Sequence, residues 1–413
     1  MKLLLKACVV LAAVLFFAPS EAEAVPRFAA RNGANCNLCH VSPAGGGMRN
    51  SYGRNVYAKF VLPWDANEAG AEPGVNPEWS PSDDKSIAVG GDLRMAGLWV
   101  DTEYRTDPST GDTNFRLPTT ASFFLMQTDV YAHVQMTSKF STYLDYGVAS
   151  GNLEAYGLLQ SDKDHDAYVR FGSFLPTYGL KLPNHRTYIR EDGLGIEPNL
   201  RETGVEMGIF PGRFGLIVGL VNGQNGSAGL NPTYQFATIG RADVRVLQGP
   251  VNLTLGGSWW YEPGGAPGGV LDVRDFATSD PRTFDTKLGG YALASAGKFT
   301  YTGEMDWRRV EDRAEGTEDL RLVNTNELSF LVRQGLDVQV TYEWMDPDTR
   351  LTPDTLSRAG AGIEFYPNAF TEVKLMGRHT FGDVETADDD PRTFFTAANS
   401  GTEELIVFLH VYL

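Results

Sequence analysis

The sequence predicts an all-β fold: a 16-stranded antiparallel outer-membrane β-barrel over residues 86–413, with a small N-terminal module ahead of it. Three observations carry that prediction. Segments of about ten residues alternate apolar and polar side chains from Ser86 onward. Tight turns and long polar loops alternate between those segments. Beyond the first two dozen residues, no run reaches the ~18 apolar residues of a membrane-spanning helix. The charge balance, 35 Lys and Arg against 52 Asp and Glu, gives −17. That excludes a nucleic-acid binder, whose phosphate contacts need a basic surface.

Residues 1–24 read as a signal peptide. Lys2 and Lys6 flank a leucine cluster, an apolar stretch follows to Ala18, and Ala22-Glu23-Ala24 supplies the small-x-small cleavage pattern. Cys8 leaves with it. The two cysteines that remain both fall in Cys36-Asn37-Leu38-Cys39-His40. Two thiols at this spacing can form thioethers to the two vinyl groups of one haem, and the adjacent imidazole then serves as the proximal iron ligand. A CxxC disulfide is the simpler alternative, and a zinc site would need two further ligands nearby. The spacing predicts one haem c, bound covalently by Cys36 and Cys39 and ligated by His40.

Short helices are expected at 27–31 and 50–60, separated by Gly33, Pro43, Gly45, Gly46 and Gly47. Residues 62–84 are rich in Pro, Asp and Glu and read as a linker. The span 25–85 is thus a monohaem cytochrome c-like domain plus linker, too short for a roomy core of its own. It needs a surface to rest on.

In the barrel region, Leu336, Val338, Val340, Tyr342 and Trp344 share one face, and Asp337, Gln339, Thr341 and Glu343 share the other. Val251, Leu253, Leu255, Trp259 and Tyr261 repeat the scheme, as do Phe124, Met126, Val130, Val134 and Met136 against Gln127, Asp129, His133 and Gln135. Ionised residues in mid-strand opposite an apolar face suit a polar lumen inside a lipid-facing wall. A soluble propeller or sandwich would lack them on its buried faces. Tight turns are expected at 137–139, 176–177, 211–213, 248–250, 297–298, 334–335 and 367–368. Long loops are expected at 101–118, 151–165, 183–200, 223–233, 263–285, 312–321, 347–354 and 382–402. The final strand directs Leu405, Val407, Leu409, Val411 and Leu413 to lipid.

The third long loop carries His185, Arg186, Arg190, Glu191, Asp192, Glu197 and Arg201. By analogy with porin-like barrels it is expected to fold into the lumen, facing wall positions such as Arg241, Arg245, Asp129 and Glu343. The outer loops are acidic: Glu311, Asp312, Glu315, Glu318 and Asp319; Asp346, Asp348 and Asp354; Asp383, Glu385, Asp388, Asp389 and Asp390. Such clusters concentrate cations and can ligate divalent iron, or bind calcium that bridges lipopolysaccharide.

Phe28 to Arg54, FAARNGANCNLCHVSPAGGGMRNSYGR, running into a barrel, resembles the fused monohaem cytochrome–porins. The resemblance covers the mature chain in architecture and residues 28–54 in motif. Cys36, Cys39 and His40 match the family's haem-binding motif. The segment GSFLPTYGLKLPNHRTYIRED is similar to a passage in porin-like proteins encoded beside metal-reduction cytochromes. The resemblance implies electron transfer across the bacterial outer membrane, with the haem domain at the periplasmic side or within the barrel. It implies outer-membrane lipid, periplasmic c-type cytochromes and extracellular iron or another electron donor or acceptor as partners. The protein is then an electron carrier rather than a conventional enzyme, with Fe(II) oxidation as its enzymatic form. Two alternatives stand beside it: a passive diffusion porin with a structural or regulatory haem domain, and an envelope haem peroxidase, for which no distal acid–base pair is evident.

For the sixth iron ligand the sequence offers Met48, eight residues from His40, and two lumen-facing histidines, His133 and His410. Their strands become near neighbours when the barrel closes, so both imidazoles are expected near the short-turn mouth.

Overall fold

In a computed structural model of the chain, sixteen antiparallel strands close into one barrel: each pairs with its sequence neighbours, and the first meets the last. The structure describes residues 26–64, 86–102, 119–161, 167–182, 187–196, 200–223, 235–264, 283–313, 316–347, 349, 355–381 and 401–412. The expected leader, most of the linker, His165, His185, Arg186, Glu197, Glu315, Asp348, Asp354, Leu413 and the acidic run 383–390 lie outside these residues.

The strands are β1 (Ile87–Thr102), β2 (Thr120–Gln135), β3 (Phe140–Gly147), β4 (Leu153–Gln160), β5 (Ala167–Phe174), β6 (Glu202–Ile209), β7 (Phe214–Val221) and β8 (Ala237–Leu247). They continue as β9 (Val251–Pro263), β10 (Thr283–Ala296), β11 (Phe299–Asp312), β12 (Thr317–Arg333), β13 (Leu336–Asp346), β14 (Leu356–Phe365), β15 (Thr371–Phe381) and β16 (Thr402–Tyr412). At ~3.4 Å per residue and a tilt of ~40°, a strand of eleven residues such as β13 rises about 28 Å, enough to cross an apolar band of ~25 Å.

The alternation is as expected on β13, where Val338, Val340 and Tyr342 are exposed while Asp337, Gln339 and Glu343 are buried. On β16 Leu409 is exposed and Glu404, Ile406, Phe408 and His410 are buried. The inward charges pair with one another: Asp285 receives Lys287 at 2.8 Å and Arg308 at 2.9 Å, and Arg378 meets Glu404 at 2.7 Å. Carboxylates and guanidinium groups removed from bulk water require such partners.

Three expectations need correction. Residues 153–160 are β4 rather than part of a loop, and 176–177 is not a turn between strands. The strand was obscured because its inward side chains include Tyr156 and Leu158, both buried against material filling the lumen, so polar alternation is lost. The apparent strand after 177 took its alternation from Tyr178, Leu180 and Leu182. Tyr178 and Leu180 are buried inside the barrel, where their segment lies. One strand was missed and one invented, so the total stayed at sixteen.

The second correction concerns β2. A register shift between Arg94 and Met95 leaves Met126 without a partner on β1, and the bulge inverts the parity beyond it. Phe123 and Leu125 are therefore the strongly exposed residues, while Met126 packs beside buried Ala96, Ile406 and Phe408. The third is the 312–321 loop, which is shorter than expected. Strands β11 and β12 stay paired out to Asp312 and Thr317, bringing Glu311 opposite Glu318.

Candidate functional site

The N-terminal module is built around a helix, α1 (Pro26–Asn32), ended by Gly33 at φ +57°. Arg27 and Arg31 are four apart and so project on one side of it. Both are taken up by the barrel wall. Arg27 is fully buried, with an ion pair to Glu327 at 2.9 Å and a second to Glu364. Arg31 donates to Asp337 at 3.0 Å and to Thr300 at 3.0 Å. Phe28 lies 5.8 Å from Tyr57 of the module and 5.8 Å from Tyr366 of the wall, and these rings with Leu62 form one apolar cluster. The Trp64 amide donates to the Tyr366 carbonyl at 2.6 Å. The module therefore sits in the short-turn mouth and is held chiefly by β9 to β14.

The cysteine motif starts as a 3₁₀ turn over Cys36–Leu38. His40 then bridges to Arg49, folding residues 40–49 back on themselves. Asn50 locks this return: its side-chain amide donates to the carbonyls of Asn37 and Leu38, both at 3.0 Å, and its oxygen accepts from the Gly53 amide at 2.9 Å. Gly53 opens a π-helix over Gly53–Val61, and a side chain there would collide with the Cys39 carbonyl. Both expected helices are thus present, the second wound as a π-helix.

Cys36 and Cys39 are free thiols, and with His40 they line one cavity of about 960 Å³ of empty space, its open mouth included. Pro26, Phe28, Leu38, Tyr57 and Leu62 supply apolar walls from the module. Leu180, Lys181, Arg241, Asp243, Tyr291 and Leu293 supply the remainder from the third loop and the wall. Burial pushes the Cys39 thiol up to about 11, against the pull of Arg49. Burial, with the charges of Arg49 and Lys181, pushes the His40 imidazole down to about 3. His40 is neutral at physiological pH, the form in which imidazole binds a metal. Its Nδ1 is buried without a hydrogen-bond partner. Two thiols, a neutral imidazole and apolar walls around one cavity fit a covalently held haem. Among the described residues no group of three or more His, Cys, Asp or Glu is arranged to hold a bare metal ion.

None of the three candidate sixth ligands lines this cavity. Met48 and His133 line a separate, wider vestibule that His40 also borders. Met48 is buried, and its amide donates to Tyr143 Oη at 3.2 Å. His410 lines neither space: its Nε2 is 2.5 Å from Asp92 Oδ1 and its Nδ1 is 3.4 Å from Glu372.

The third loop does enter the lumen. Its first part is irregular and bends at Gly179 (φ +55°), with amides satisfied by wall side chains: Gly179 by Ser258 at 2.9 Å and Leu180 by Glu304 at 3.0 Å. A short π-helix, Tyr188–Asp192, follows. Arg190 is buried and meets Glu304 at 2.7 Å, a partner the sequence did not suggest. Glu343, which it did suggest, accepts from the Tyr188 amide at 3.0 Å. Arg241 donates to the Gly179 carbonyl at 3.2 Å, whereas Arg245 turns to the Gly212 carbonyl and Asp129 to Gln127.

No family model matches the chain, and no curated protein matches it. Solved structures do match its fold. OmpT of Vibrio cholerae aligns at TM-score 0.52 and 10% identity, over 80% of this chain and 99% of its own. An anion-selective porin from Comamonas acidovorans aligns at 0.52 and 13%, over 79% and 99%. OprB of Pseudomonas putida, in its high-pH structure, aligns at 0.52 and 10%, over 80% and 95%. At these identities the likeness is one of fold: a closed porin-like barrel.

Proposed function

We propose that the chain holds one haem c in the mouth of a bacterial outer-membrane barrel and moves single electrons through it. Cys36 and Cys39 would bind the haem and His40 would ligate its iron. A periplasmic c-type cytochrome on one side and an extracellular donor or acceptor such as iron on the other are the partners. The observation that carries this reading is the cavity itself. Both thiols and a buried neutral imidazole face one apolar space, inside a barrel whose outside is an apolar band. The haem supplies a reversible one-electron couple there. The chain's own residues would anchor it, shield it from water and fix it in the protein-lined lumen of the band.

The porin-like fold favours a second reading, a passive diffusion channel with a structural or regulatory haem domain. In either case the haem comes first. Full-length protein matured with a c-type haem attachment system is expected to give a haem-stained band, a mass increase of one haem and a reversible one-electron redox transition. Protein that carries no covalent haem under those conditions contradicts the proposal.

A further inference from the structure

The cavity that holds the cysteines has Lys181 and Arg241 on its barrel side. Arg49, Lys181 and Arg241 line it against a single carboxylate, Asp243. Arg241 projects inward from β8 and is only 7% exposed. Its Nη1 donates to the Gly179 carbonyl at 3.2 Å, while its Nε is buried with no hydrogen-bond partner. Asp243, 3.9 Å from that Nε, is too far for a hydrogen bond and already accepts from Tyr291 Oη at 3.2 Å. Lys181 arrives from the third loop. Among the described residues its bond is to a backbone carbonyl, Gly45 at 3.0 Å, not to a carboxylate. Gly46, at φ +71°, leaves room for that ammonium group, where a side chain would strike it.

Elsewhere in this lumen, buried cations meet carboxylates directly, as Arg27, Arg190 and Arg378 do. The nearest carboxylate to Arg241 stands off at 3.9 Å, which leaves room on the cavity side for a closer anion. We propose that Arg241 and Lys181 are the seat of the two haem propionates, so that the barrel and its inward loop complete a haem site that the module only begins. The inference rests on the haem reading above. The planar fork of Arg241 suits one propionate as a bidentate partner, and the Lys181 ammonium suits the other as a point charge.

The test uses full-length, haem-matured protein in detergent. Arg241→Gln, Lys181→Gln and the double variant are compared with wild type by midpoint potential and by the propionate bending mode in resonance Raman. Thioether attachment is independent of the seat, so haem content should stay at the wild-type level. Loss of a cation favours the ferric form, so the potential should fall in each single variant and further in the double. The propionate mode should shift with it. Arg241→Lys should restore the potential but not the mode, since it returns charge without the fork. Unchanged potential and mode in the double variant would overturn the proposal. Wild-type protein without covalent haem would instead remove the reading beneath it. Should the glutamine variants lose their heat-modifiable barrel, Arg241→Lys still decides: an unmoved propionate mode counts against contact.

Discussion

Strand β13 and helix α1 both bring charged side chains into the lumen, and they are supported differently. In β13, Asp337 and Glu343 ride on a backbone hydrogen-bonded on both sides, to β12 and β14. In α1, seven residues make less than two full turns, and an isolated helix of that length is unstable in water. Its arginines are held by β11 to β14, and its phenylalanine by a tyrosine of the wall. The wall closes its own hydrogen bonds and can stand alone. The module borrows its core and its counter-charges from the wall.

That contrast can be broken most completely at the motif. Replacing both Cys36 and Cys39 by Ala should remove all haem staining while the barrel remains heat-modifiable, because nothing in the strand ladder depends on them. Normal haem attachment in that variant would refute the assignment. The next largest effect is expected at the dock. Arg27→Ala removes a buried guanidinium from Glu364 and Glu327, while Glu364 keeps Lys374 at 3.1 Å and Gln339 at 2.7 Å, so the loss is on the order of 1.5–3 kcal/mol. Limited proteolysis should then cut within residues 26–64 while the barrel stays resistant. A module as protected as in wild type would mean that the ion pairs do not hold it.

A smaller change sharpens the same boundary from the loop side. Arg190→Cys should resist a bulky impermeant thiol reagent on intact cells, since position 190 is buried against Glu304. Rapid, complete labelling would place that segment over the surface. The smallest effect is a null one. The His133→Ala, His410→Ala double variant should keep the wild-type haem spin state, because neither residue lines the cysteine cavity. A low-spin to high-spin conversion would make one of them an axial ligand.

The parts that the sequence made legible are those with a local signature. Two-residue alternation marked β9 and β13 because each has lipid on one face and mostly polar or charged side chains on the other. The spacing of Cys36, Cys39 and His40 marked one pocket because the chemistry requires adjacency in the chain. Where the lumen is filled, alternation failed: Tyr156 and Leu158 made β4 read as a loop, and Tyr178 and Leu180 made a lumen segment read as a strand. The docking residues were invisible for another reason. Arg27 and Glu364 are joined across 337 positions of sequence, and no pattern near either one names the other. Arg241 was legible as lumen-facing from its alternation with Asp243 and Arg245, but only the closed barrel sets it beside the cysteines.

The central claim, that the barrel mouth holds a redox group bridging the two sides of a membrane, is tested most directly in sealed proteoliposomes. Full-length haem-matured protein is reconstituted with an electron acceptor enclosed, and an impermeant reductant is added outside. The account predicts reduction of the enclosed acceptor without leakage of it, and no reduction with the Cys36→Ala, Cys39→Ala variant. Solute leakage with no haem-dependent reduction would contradict it and leave a diffusion channel.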